Sequence, residues 1–71
     1  MRLNTTQYDA LEAAVRDGRR VVVVRRGTEF IIVPARLRQV KGRDAIEAMH
    51  PTTGDTMQFI LDDLDTLEVV G

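Results

Sequence analysis

Apolar side chains recur at helical spacing near the start of the chain. Tyr8, Leu11, Ala14 and Val15 fall on one stripe of a 3.6-residue period. Asn4 stands just before it and Gln7 three residues later, the signature of a capping box. Leu3 and Tyr8 are spaced as a hydrophobic staple, Glu12 and Arg16 as an outward i,i+4 ion pair, and Gly18 as a left-handed stop. The pattern predicts a helix over 4–17. A helix this short is marginal alone in water, so its stripe must dock on something.

After Gly18 the period drops to two and β-branched residues take over. Arg19–Arg26 (RRVVVVRR) reads as a first strand, with a tight turn at Gly27-Thr28. Glu29–Val40 reads as a long second strand. Pro34 cannot donate to a ladder, which places a bulge or edge there. Lys41-Gly42-Arg43 is the next turn, followed by strands over Asp44–His50 and Thr56–Leu61 with the turn Pro51–Asp55 between them. In the fourth strand Met57, Phe59 and Leu61 share a face. Asp62–Asp65 reads as a single helical or 3₁₀ turn, and Thr66–Val70 as a short fifth strand.

Five short strands cannot form two well-covered sheets, and rolling them up removes exposed edges. The expected fold class is therefore mainly β with an N-terminal α-helix: an SH3-like or Sm-like five-stranded small barrel. The helix caps one end, residues 19–70 form the barrel, and 1–71 are one domain. At 71 residues the core is thin, since a domain near this size buries only about 60% of its unfolded surface.

Composition narrows the chemistry. The chain has no Cys, no Ser and no Trp, and one histidine, His50. A disulfide framework, a thiolate nucleophile and a cysteine zinc site are thereby excluded. A serine nucleophile is excluded as well, and nothing points to Thr or Lys in that role. Asp62, Asp63 and Asp65 lack the spacing and glycine of a calcium loop and read as a polar turn whose first Asp caps the backbone. His50 precedes Pro51 at a strand end with no second ligand at metal-site spacing. No phosphate-cradling glycine motif is present. No catalytic residue, metal site or cofactor is expected, and the chain reads as a non-enzymatic protein. It shows no signal segment and no apolar run near bilayer length, so a cytoplasmic location is expected.

The net charge of −1 conceals a split. Residues 1–43 carry all ten bases and four acids; residues 44–71 carry seven acids and no base. The halves either neutralise each other across the fold or mark a partner surface. Nine of the ten bases are arginine, the residue suited to bidentate phosphate contact. Arg25 and Arg26 close the first strand, while Arg36 and Arg38 alternate on the second and share a face. Together they suggest a basic stripe for RNA or DNA. The three aromatics, Tyr8, Phe30 and Phe59, look committed to the core, so stacking platforms are lacking. A protein partner is the other option, met by the outer helix face or by β-addition at an edge.

Two family resemblances bear on that choice. The helix Tyr8-Asp9-Ala10-Leu11-Glu12-Ala13-Ala14 resembles the opening helix of Rof, the Rho-binding antiterminator family. The segments Asp44–Ala48, Gly54-Asp55 and Phe59–Leu64 followed by Leu67 are similar to its later strands. The likeness implies an Sm-like barrel that binds the terminator Rho, with Tyr8, Asp9 and Glu12 as the partner-binding residues. Residues 30–70 also resemble the barrel of WYL domains, through Val33–Leu37, Gly42-Arg43, Gln58–Leu64 and Leu67–Val69. Asp44-Ala45-Ile46 stands where the Trp-Tyr-Leu signature would be. That likeness implies a ligand- or nucleic-acid-sensing barrel of bacterial transcription control.

The leading expectation is a regulatory binding module that contacts a protein of the transcription machinery through Tyr8, Asp9 and Glu12. The alternative is an oligonucleotide- or ligand-binding barrel that uses Arg25, Arg26, Arg36 and Arg38. A third option is a homo-oligomer, because a thin core favours covering strand edges with a neighbouring copy.

Overall fold

In the computed structural model, which describes residues 3–70, helix α1 runs Thr5–Asp17. Arg2, the first of the ten bases, lies outside the described residues. The capping box forms as the spacing requires. Asn4 Oδ1 accepts from the Gln7 amide at 2.8 Å, and the Asn4 amide donates to Gln7 Oε1 at 3.0 Å. Gly18 ends the helix at φ 69°, donating its amide to the Ala14 carbonyl. Leu11 and Ala14 are fully buried, while Tyr8 and Val15 are half-buried at the stripe's margins. The expected Glu12–Arg16 pair does not form: Arg16 Nε instead donates to Asp17 Oδ1 at 3.2 Å.

Strands β1 (Val21–Arg25), β2 (Thr28–Val40), β3 (Arg43–Met49), β4 (Thr56–Ile60) and β5 (Thr66–Val69) form one antiparallel sheet in the order β4-β3-β2-β1-β5. A 3₁₀ turn at Leu61–Asp63 links β4 to β5. The first hairpin turn lies one residue earlier than the sequence suggests, and the second is one residue shorter. Arg25 pairs with Thr28 and Val40 with Arg43, leaving two-residue loops Arg26-Gly27 and Lys41-Gly42. All four loop residues have positive φ, at 50° and 77° and then 52° and 78°. This is the type I′ geometry that matches the twist of the flanking strands.

β2 belongs to both halves of the sheet. Its first five residues pair with β1, and from Val33 onward it pairs with β3. The register slips between Pro34 and Arg36, so Ala35 is an extra residue in a bulge. The bulge bends the strand and inverts its alternation. Ile32 and Pro34 are buried before it, whereas Arg36 and Arg38 are exposed after it and Leu37 packs on the core. The bend brings distant strands together. Phe59 of β4 lies in register with Leu37, seven residues along β2 from Phe30, so the two rings would be roughly 20 Å or more apart across a flat sheet, yet their centroids are 5.3 Å apart. The sheet is rolled into a small barrel-like fold around Val21, Val23, Ile32, Ile46, Ala48 and Phe59, with Leu11, Ala14, Leu61 and Leu64 closing the core.

The two charge halves meet in only one place. Among the described residues, Glu47 is the single acid of the second half that forms ion pairs with bases of the first. The acidic turn is wired differently from the expectation: the 3₁₀ turn has no side-chain cap. It is Asp65, not Asp62, that caps backbone, accepting from the Gly27 amide at 3.2 Å while its own amide donates to the Val24 carbonyl at 2.7 Å. Acidic chain thus clamps the first hairpin.

Candidate functional site

The Ala35 bulge decides where the second arginine pair points. With unbroken alternation Arg36 would follow Pro34 into the core; the extra residue turns Arg36 and Arg38 outward, opposite Glu47 and Ala45 of β3. Glu47 lies between the two guanidiniums. Arg36 donates Nε to Glu47 Oε2 at 2.8 Å and Nη2 to Oε1 at 3.2 Å, and Arg38 donates Nη1 to Oε1. Hydrogen bonds from Arg36 and then Arg38 lower the Glu47 carboxyl from an ordinary 4.5 to about 2. The Arg36 guanidinium is in turn held more firmly protonated by its bond to Glu47. The carboxylate sits low, 20% exposed, beneath arginines that are 65% and 45% exposed. A guanidinium has five N–H donors. Arg36 uses two on Glu47 and Arg38 one, so both keep donors directed at solvent. The group is a pair of oriented, outward cations on one carboxylate, with a net charge of +1.

The adjoining hairpin tip adds Lys41 and Arg43, both exposed and without ion pairs, beside Asp44, which accepts a long 3.5 Å bond from Gln39. The β2–β3 hairpin therefore presents Arg36, Arg38, Lys41 and Arg43 against Glu47 and Asp44. Planar, bidentate guanidinium donors at this density suit phosphate oxygens.

Arg25 and Arg26 lie elsewhere, eight or more positions of β2 away from Arg36, so the four arginines do not form one stripe. The Arg25 guanidinium stacks over Phe30 and Phe59, at 5.2 and 5.1 Å from the ring centroids. Arg26 occupies the left-handed first position of the turn. Both border a depression of about 370 Å³ that Asp63 also lines. With Asp65 capping the same turn, this corner is not basic. Phe30, read from the sequence as a core aromatic, is only half-buried and forms part of that depression's wall.

On the helix, Tyr8 is half-buried and borders a shallow depression of about 190 Å³ with Leu37, Arg38 and Leu61. Asp9 and Glu12 are exposed one turn apart, and neither makes an ion pair. His50 ties its own turn: Nδ1 accepts from the amides of Thr52 and Thr53, at 3.2 Å each. Among the described residues no three His, Cys, Asp or Glu gather as a metal site, and no helix is long and apolar enough to cross a membrane.

Sequence reasoning missed Glu47. The signal was available in the turn: once Lys41-Gly42 is taken as a two-residue loop, counting back from Val40 and Arg43 sets Arg36 opposite Glu47.

Known proteins add a fold-level likeness. No family model matches the chain, and no curated protein matches it. Among solved structures, it is similar over its full length to part of proteasome accessory factor B/C (PafBC) of Arthrobacter aurescens, with a TM-score of 0.72 and 25% identity. The chain spans 13% of the length of that protein. None of these comparisons supports the Rof resemblance.

Proposed function

We propose that this chain is a non-enzymatic regulatory binding module whose barrel holds the phosphate backbone of a nucleic acid. The observation that carries the reading is the outward Arg36–Glu47–Arg38 group beside Lys41 and Arg43. Glu47 fixes both guanidiniums before any ligand arrives, so less side-chain freedom is lost on binding. The likeness to a segment of PafBC fits a regulatory role. A backbone-directed contact also fits the shortage of free aromatic faces on this hairpin, because phosphate contacts position a ligand without reading its bases.

The test is a fluorescence-anisotropy titration with a labelled single-stranded oligonucleotide at several salt concentrations. Binding should weaken with salt, with a log–log slope of about −0.7 for each phosphate neutralised. Arg36→Ala combined with Arg38→Ala should flatten that slope by about 1.4, while Arg16→Ala on the helix leaves it unchanged. Absent binding at low salt, or affinity indifferent to salt, rules the reading out.

A second reading rests on a separate observation. Asp9 and Glu12 form an exposed, unneutralised acidic pair on the helix, as contact with a basic protein such as Rho would require. Titration against Rho, with Asp9→Lys and Glu12→Lys as controls, decides it: no binding at tens of micromolar, or binding unchanged by both swaps, removes it.

A further inference from the structure

Arg25 breaks the pattern of the strand that carries it. Along β1 the core side holds Val21 and Val23, both buried, opposite Ile32 and Phe30. The next residue on that side is Arg25, opposite Thr28. A cation therefore stands where alternation asks for a third apolar residue. Its guanidinium lies over both Phe30 and Phe59, at 5.2 and 5.1 Å from their centroids, and the two rings are tilted 59° to each other. Stacking occupies the flat face of a guanidinium and leaves the N–H groups around its rim available. No side chain takes up those donors among the described residues. The aromatic pair thus orients a half-buried fork of donors at the end of β1.

The fork borders the depression of about 370 Å³, inside the roughly 300–1,000 Å³ typical of small-molecule sites. Its lining is Arg25, Arg26, Thr28, Phe30 and Asp63: two cations, a hydroxyl, a half-buried aromatic ring and a carboxylate. Arg26, Thr28 and Asp63 are exposed, and none of the three side chains makes a hydrogen bond or ion pair among the described residues. The other acids near this corner are placed differently. Asp65 is engaged with the Gly27 amide, Glu29 alternates to the opposite face of β2, and Asp62 lines a separate depression beside the helix. A doubly charged phosphate would meet Asp63 across the depression, and a bare cation would meet two arginines. The charges left without partners are of both signs, and a zwitterion with a carboxylate next to an ammonium satisfies both.

We infer that this corner binds a free α-amino acid with an aromatic or other apolar side chain. The carboxylate takes a two-pronged contact with the Arg25 fork, a match of geometry as well as charge. Arg26 and the Thr28 hydroxyl line the same depression and add donors on that side. The ammonium faces Asp63, and the side chain lies on the open part of the Phe30 ring. Because Phe30 and Phe59 already fix the Arg25 guanidinium, little of its freedom is lost on binding. A ligand of about a dozen non-hydrogen atoms, at the low end of ligand efficiency, binds with a Kd on the order of 0.1–1 mM. The site is separate from the Arg36–Arg38 hairpin and does not depend on what that hairpin holds.

Amide NMR titration of the isotope-labelled chain tests the inference with three probes: L-phenylalanine, phenylpropanoate, which lacks the ammonium, and phenethylamine, which lacks the carboxylate. L-phenylalanine should shift the amides of residues 25–28 and 62–65 and bind about tenfold tighter than either fragment. Arg25→Met keeps a long side chain on the rings but removes the fork, and should weaken L-phenylalanine about tenfold without weakening phenethylamine. Asp63→Asn should weaken L-phenylalanine by about the same factor and strengthen phenylpropanoate, so that the preference between them disappears or reverses. A folding defect would weaken both ligands together. Arg36→Ala combined with Arg38→Ala should change none of these affinities. Circular dichroism checks each fold, and if Arg25→Met is unfolded, the exposed Asp63 carries the test through its crossed ligand pattern. No shift at tens of millimolar L-phenylalanine, phenylpropanoate as tight as the amino acid on the native chain, parallel losses in Asp63→Asn, or shifts centred on another part of the chain overturns the proposal.

Discussion

Both type I′ turns place a long cationic residue where the backbone favours another. Arg26 at φ 50° and Lys41 at φ 52° are the only non-glycine residues with positive φ among those described. Left-handed backbone crowds the Cβ of an L-residue against the following carbonyl, at roughly 1–2 kcal/mol. Asparagine tolerates this region, and Asn-Gly is the preferred pair for a two-residue hairpin. Arg26→Asn and Lys41→Asn should therefore each stabilise the fold by about 0.5–1 kcal/mol. The two sites lie at opposite ends of β2 and share no partner, so their effects should add. At about 4–8 °C per kcal/mol for a domain of this size, the double variant should melt about 4–16 °C higher. Thermal melts by circular dichroism measure the shift, with Arg26→Gln and Lys41→Gln as controls. The glutamine variants remove the charge but keep the strain, and should leave the melting temperature nearly unchanged. If asparagine gains nothing, or glutamine gains as much, the turns are not strained and the reasoning fails. The opposite sign is expected at the next position, where Gly27→Ala or Gly42→Ala forces a Cβ into the left-handed region at φ 77° or 78°. No atom within 4 Å obstructs that Cβ, so the loss should be that of backbone strain alone, about 1–2 kcal/mol.

Three other outcomes follow from the geometry. Deleting Ala35 removes the bulge and returns Arg36 and Arg38 to the buried side of β2, so the variant should lack a cooperative melt; a folded, cooperative deletion variant refutes the account of the bulge. Phe59→Ala empties a site that is 1% exposed and stacked on Phe30 and Arg25. Its expected cost of about 3–5 kcal/mol is a large part of the roughly 4–10 kcal/mol such a chain has, and urea denaturation should show the midpoint collapse. Because the Glu47 carboxyl is lowered from 4.5 to about 2, its bonds to both arginines contribute fully above pH 4.5 and are lost as the pH falls through 2. The stability difference between the native chain and Glu47→Gln should accordingly shrink between pH 4.5 and 2, and a difference constant over that range excludes the triad as drawn.

The parts of this structure that were legible in the sequence are those set by local chemistry. Asn4, Gln7 and Gly18 fix the helix ends through bonds made within a few residues, and Pro34 marks the irregularity in β2 because its nitrogen has no hydrogen to give. What the sequence concealed is what lies across from each strand. Alternation assigns a side chain to a face but names no neighbour, and register depends on turn type. Reading Lys41-Gly42-Arg43 as a three-residue turn moves β3 by one position and hides Glu47 from Arg36. The bulge compounds this: it exchanges the two faces of β2 at Ala35, so that odd-numbered Ile31 and Val33 and even-numbered Arg36 and Arg38 all end on the outside. One long strand carries apolar outward residues before the bulge and cationic ones after it.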